Sequence, residues 1–211
     1  MTDQHFPNVH VDSSSGLLTV RAEAAKWSFQ PSGTMRCIGT PLFRNLSARH
    51  LGCLLDVDNE VASWTCLPIA LKNGANLHVP DFLVQKSGEL FVVDALLENS
   101  ARPEPWIAQA AAANGYEYAA MHAPEFCTGF RLQNAMDLLR YARWQCPLGD
   151  RIRLLAALEE HASLSVSDCF TAFQETQPAA GLSSLILNRF VDVDLDEALI
   201  GPETSVRRWR G

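Results

Sequence analysis

Two neighbouring stretches constrain this chain most: His78-Val79-Pro80-Asp81-Phe82-Leu83-Val84 and Leu90-Phe91-Val92-Val93-Asp94-Ala95-Leu96. Both are apolar runs of strand length, and Lys86-Ser87-Gly88-Glu89 between them reads as a hairpin connection. Each run carries one aspartate, placed so that both side chains can point at the same spot. Paired carboxylates on adjacent strands are one way to hold a divalent metal, because hard cations take oxygen ligands. Asp81 and Asp94 are therefore the candidate metal ligands and the candidate catalytic acids.

Around this hairpin the chain reads as a mixed sheet with helices on its faces. Residues 1–16, ending in Ser13-Ser14-Ser15-Gly16, form a polar stretch expected to be a flexible arm. Apolar spacing predicts a helix within Phe43 to Asp56. Strands are expected over Val61 to Leu71, Leu77 to Gln85 and Leu90 to Leu96, the first two joined by a tight turn at Lys72-Asn73-Gly74-Ala75-Asn76. A helix over Arg102 to Asn114, closed by Gly115, should cross over to a strand at Tyr116 to Met121. A further helix covers Phe130 to Trp144.

Composition shifts at Cys146-Pro147-Leu148-Gly149, which divides residues 17–146 from residues 147–211. The second part reads as helices over Asp150 to His161, Ser165 to Gln174 and Ala179 to Phe190. A strand pair follows, over Val191 to Leu195 and Ala198 to Val206. Three helices and a hairpin in so short a segment outline a winged helix-turn-helix.

The formal net charge of −7 disfavours a chain that grips DNA alone, since backbone binding rests on Lys and Arg neutralising phosphates. It favours work beside a more basic partner. The basic residues offered to nucleic acid or to a partner are Arg189, at the end of the expected recognition helix, and Arg207, Arg208 and Arg210 around Trp209. A lone Arg189 is little for reading bases, which favours a protein-binding role for this part. No apolar run has membrane-span length and the amino terminus carries no secretory pattern, so a cytoplasmic location is expected. The six cysteines form no CxxC pair and no zinc spacing, and are expected to be free thiols.

Read together, several pieces resemble the TnsA transposon endonuclease family. They are Pro31-Ser32 with Arg36, Ser47 opening a helix that reaches Leu54-Leu55, Asp58 to Val61, His78-Val79-Pro80-Asp81-Phe82, and Val92-Val93-Asp94. The resemblance spans the chain from about residue 25 to its end. It implies a PD-(D/E)xK nuclease-like domain followed by a winged helix. It also implies magnesium at Asp81 and Asp94 if the site is active, with Asp81 bridging metals and Asp94 holding one, and a transposase or an ATPase regulator as partner. The family pattern also wants an acid on the first helix, where this chain has Leu46-Ser47-Ala48-Arg49-His50, and a basic residue after Pro-Ser, near Thr34. It wants a lysine two residues after the second acid, where this chain has Leu96. The nearest replacements in sequence are Lys86, Glu60, Glu98 and Gln109. The expectation is a catalytically degenerate subunit of a transposition complex. Its alternatives are an active magnesium-dependent endonuclease cutting at transposon ends, and a winged-helix DNA-binding regulator.

Overall fold

A computed structural model describes residues 15–210. Residues 1–14, which carry most of the expected arm with His5 and His10, lie outside the described residues. The end of that arm is helical, because α1 (Ser15–Ala24) starts at Ser15 and buries Leu17 and Ala24. After α2 (Leu46–Val57) come β1 (Val61–Cys66), β2 (Leu71–Asn73), β3 (Asn76–His78), β4 (Phe82–Lys86) and β5 (Glu89–Leu96). Then follow α3 (Pro105–Ala113), β6 (Glu117–His122), α4 (Ala123–Phe126) and α5 (Arg131–Leu139).

The sheet is mixed, in the order β1-β4-β5-β6, with α2 packed against one face and α3 close to β6 on the other. The β4–β5 hairpin turns as the sequence predicts: Lys86 pairs with Glu89, and Ser87 and Gly88 have φ of 51° and 86°. Positive φ at both central residues matches the right-handed twist of the strands they join. The helix α3 carries the chain across to β6, which runs parallel to β5.

Two expected strands break, each for a local reason. The run Val61 to Leu71 ends at Cys66, because Leu67 takes φ 46° and Pro68 follows without an amide hydrogen. The run Leu77 to Gln85 is interrupted at Val79-Pro80 for the same lack of a donor. β1 therefore pairs with β4 instead of its sequence neighbour, and β2 and β3 form a small separate hairpin around Gly74.

Strand alternation sorts the side chains. Phe82, Val84, Val93 and Ala95 join Trp64, Leu51 and Leu17 in a core on the α2 face. Leu83 and Val92 join Ile107, Ala111 and Leu71 in a core on the α3 face. Asp81 is two residues from Leu83, and Asp94 two from Val92, so both acids lie on the α3 face. Leu96, two residues beyond Asp94, shares it.

Beyond residue 146 the elements are α6 (Leu148–His161), β7 (Ser163–Ser165), α7 (Val166–Cys169) with a 3-10 turn Phe170–Ala172, α8 (Pro178–Leu187), β8 (Val191–Val193) and β9 (Ser205–Arg208). They form a second sheet ordered β7-β9-β8. Several boundaries differ from the sequence reading: α6 starts at Leu148 instead of Asp150, the helix read as Ser165 to Gln174 ends with the 3-10 turn at Ala172, and the strand read as Val191 to Leu195 ends at Val193. Ser163–Ser165 is a strand. The helix read as Ala179 to Phe190 stops at Leu187, because Arg189 takes φ 58°. The strand read as Ala198 to Val206 is a connection up to Thr204, with pairing only at β9. Cys53, Cys66 and Cys169 are buried, and all six cysteines are free thiols. No described helix is long and apolar enough to cross a membrane.

Candidate functional site

The two aspartates meet at the end of the β4–β5 pairing. Asp81 precedes β4 and Asp94 lies within β5, with Phe82 opposite Val93 as the last paired rung. Each carboxylate reaches across to the other's strand. The Asp81 amide donates to Asp94 Oδ1 at 3.1 Å, and the Ala95 amide donates to Asp81 Oδ2 at 2.9 Å. These reciprocal bonds extend the ladder past the rung where backbone pairing ends. Both side chains are almost fully buried, at 3% and 1% exposure. Two adjacent buried carboxylates need a counter-charge.

Arg44 supplies it. Asn45 caps α2 by accepting from the Ala48 amide, and Phe43 packs into the α2-face core. The residue between them is thereby held at the mouth of the sheet. Arg44 Nε donates to Asp81 Oδ1 at 2.8 Å, and Arg44 Nη2 donates to Asp94 Oδ1 at 3.2 Å. Adjacent donors on a rigid planar guanidinium suit such a two-point grip, and no lysine reproduces it.

Asp94 Oδ2 is served from β3 and β6. His78 Nε2 lies 2.6 Å from it and Tyr118 donates its hydroxyl at 2.7 Å. The two rings meet edge to face, 6.5 Å between centroids. Tyr118 comes in diagonally, since its register partner is Val92 and that of Asp94 is Ala120.

The electrostatics follow from these partners. Burial pushes the Asp81 carboxyl above its ordinary range, by more than the Arg44 guanidinium holds it down. Burial acts upward on Asp94 as well, but hydrogen bonds from His78 and Tyr118 and the Arg44 charge outweigh it, leaving Asp94 below the ordinary range. Arg44 loses by burial and gains more from the two carboxylates, so its pKa rises and it stays charged. Burial and the adjacent Asp94 push the Tyr118 hydroxyl far up, which keeps it a donor.

A cleft of about 400 Å³ opens beside this cluster, lined by Leu96, Leu97, Arg102, Glu104 and Ile107 among others. Leu96 faces it from the lysine position that the resemblance implies. None of the sequence-nearest replacements reaches it. Lys86 sits at the opposite end of the hairpin, 2.9 Å from both Asp58 and Glu60. Glu98 and Gln109 are exposed and lie outside the cleft lining. On α2 the side chain in the region of the implied acid is Arg49, fully buried, donating to the Pro31 and Gly33 carbonyls.

Magnesium is the ion that the resemblance implies for Asp81 and Asp94. All four carboxylate oxygens already accept hydrogen bonds, and the Arg44 fork stands where the two groups converge. With Arg44 so placed, these residues do not fit a divalent ion. Among the described residues, no group of three or more His, Cys, Asp and Glu side chains is arranged to hold a metal.

The basic candidates of the second part are dispersed. Arg189 follows α8 instead of lying on it, donates to the Asp58 and Val61 carbonyls, and stacks near Trp209. It ties the two halves of the chain together. Arg208 pairs with Glu159, while Arg207 and Arg210 are exposed on and after β9. In α8 itself, seven of ten residues are buried.

Sequence reasoning located both acids and missed Arg44. Its signal was an arginine directly before an Asn cap, between two core-forming stretches, but nothing in the spacing tied it to residues 37 and 50 positions away. Compared with known proteins, the sequence matches no family model and no curated protein.

Proposed function

We propose that this chain is a non-cleaving, TnsA-like subunit of a DNA transposition complex, joining a nuclease-like sheet unit to a winged-helix unit. The observation that carries it is the engagement of Asp81 and Asp94 by Arg44, with Leu96 on the same face in place of a lysine. Phosphodiester hydrolysis needs a cation on the scissile phosphate, an activated water, and a positive group at the developing charge. Here the acids are spent on an internal ion pair. Losing one such electrostatic group commonly costs about a hundredfold to a thousandfold in rate.

The winged-helix unit is read as a protein-binding module. A helix that reads DNA exposes several polar or cationic side chains to the major groove. In this reading α8 is committed to the core and Arg189 to backbone carbonyls. The net charge of −7 suits a basic protein partner, a transposase or an ATPase regulator.

Supercoiled plasmid incubated with the chain and Mg²⁺ or Mn²⁺ is expected to stay intact, for wild type and Asp81→Ala alike. Nicking by the wild type that Asp81→Ala abolishes would overturn the non-cleaving half. Co-purification with a transposase or ATPase encoded by adjacent genes is expected. Failure to bind any such product counts against the subunit half.

A further inference from the structure

We propose that Arg44 is a built-in replacement for a divalent ion. While it is present the site refuses Mg²⁺ and Mn²⁺, and its removal turns Asp81 and Asp94 into a cation site. The inference rests on reading these acids as the remains of a metal site and adds the identity of what replaced the metal.

Two buried carboxylates held together by reciprocal backbone bonds cannot both stay ionised without positive charge nearby. A metal would supply it as a compact ion drawing on oxygens from both groups. Arg44 supplies it as a planar fork that takes one oxygen, Oδ1, from each. Oδ1 of Asp94 also takes the Asp81 amide, and its Oδ2 takes His78 and Tyr118. An entering ion would therefore have to expel a tethered cation as well as shed its own water. Tethering favours the resident, since a side chain carried just before the α2 cap is always at high effective concentration. Without Arg44, the acids and their frame remain, because the amide bonds come from Asp81, just before β4, and from Ala95 on β5. The cleft beside Leu96 gives an ion a path in.

The test is Mn²⁺ uptake by the full chain, counted from the electron paramagnetic resonance signal of free Mn²⁺ in low-millimolar titrations. Wild type is expected to leave the signal at the buffer level. Arg44→Ala is expected to bind Mn²⁺, and Arg44→Ala with Asp81→Asn to lose that binding. Melting gives a second reading: at tenfold excess over Kd, Mn²⁺ should raise the Arg44→Ala midpoint by about 3–5 °C and leave wild type unmoved. Should Arg44→Ala not fold, Arg44→Gln keeps an amide donor without the charge and carries the same expectation. Mn²⁺ binding by wild type that Asp81→Asn abolishes would overturn the proposal, as would a folded Arg44 variant that binds none. Neither result decides whether the chain joins a transposase, which the co-purification tests separately.

Discussion

At the scale of single residues, the site is a lesson in what a buried carboxylate demands. Asp94 collects partners from four segments: His78 on β3, the Asp81 amide, Tyr118 on β6, and Arg44 before α2. Its folded pKa lies below the ordinary value, so the native state favours the ionised form. The resulting stability is present in full above the unfolded value of about 4 and is lost as pH falls through the lower folded value. Asp81 runs the other way: its raised pKa means that ionisation costs stability at neutral pH. Asp94→Asn should therefore lower the urea midpoint clearly at pH 6 and much less at pH 3. A gap that stays constant or widens towards acid would show that Asp94 is not held as an anion. The two acids were legible in the sequence because strand pairs announce themselves over a few residues. Arg44 was not, because a counter-ion delivered from a loop has no period and no fixed spacing.

At the scale of elements, most boundaries were set by chemistry the sequence displays. The Ser87-Gly88 turn and the Gly115 cap read correctly because each is local, whereas the helix read as Phe130 to Trp144 stops at Leu139 and the one read from Asp150 starts at Leu148. Strand partners were harder to read. β1 skips its neighbours to join β4, a choice made by burying Trp64 against Phe82, whose rings meet edge-on at 5.5 Å. α8 illustrates close packing in which a glycine is required by space. A Cβ on Gly181 would lie 2.4 Å from Phe173 Cε1 and 2.8 Å from Thr176 Cγ2. Phe173 is itself core, so its ring has nowhere easy to go. Gly181→Ala gains helix propensity of up to about 1 kcal/mol, but overpacking costs about 1–3 kcal/mol. The net expectation is a lower thermal midpoint than wild type, read by calorimetry. An unchanged or higher midpoint would mean that the 3-10 turn and α8 separate more readily than their packing implies.

At the scale of the whole molecule, the composition shift near residue 146 coincides with no break in the core. One cluster of buried side chains runs from Cys53, Leu132, Leu138 and Leu139 through Leu154, Leu182 and Leu185 to Val206. Polar ties cross the same line. Arg189 donates to the Asp58 and Val61 carbonyls. Asn134, 2% exposed, donates to the Leu195 and Ala198 carbonyls and accepts from the Ile200 amide. The carboxylate cluster sits on the α3 face of the sheet, and α2, with Arg44 just before its cap, packs on α5, which in turn packs on α8. The second unit therefore buttresses the helix that positions the guanidinium. Asn134→Ala removes three hydrogen bonds and leaves two carbonyls and an amide without their partner, at a cost of about 2–3 kcal/mol. If the shared core makes the chain one cooperative body, that loss is felt everywhere at once. Hydrogen exchange should then show the slowest amides of β4 and β5 losing as much protection as those of α8, although the Asn134 side-chain bonds go to Leu195, Ala198 and Ile200 and not to either strand. Loss confined to α8 and β8 would sink this expectation, and would mean that the sheet unit holds Arg44 in place without help from the rest of the chain.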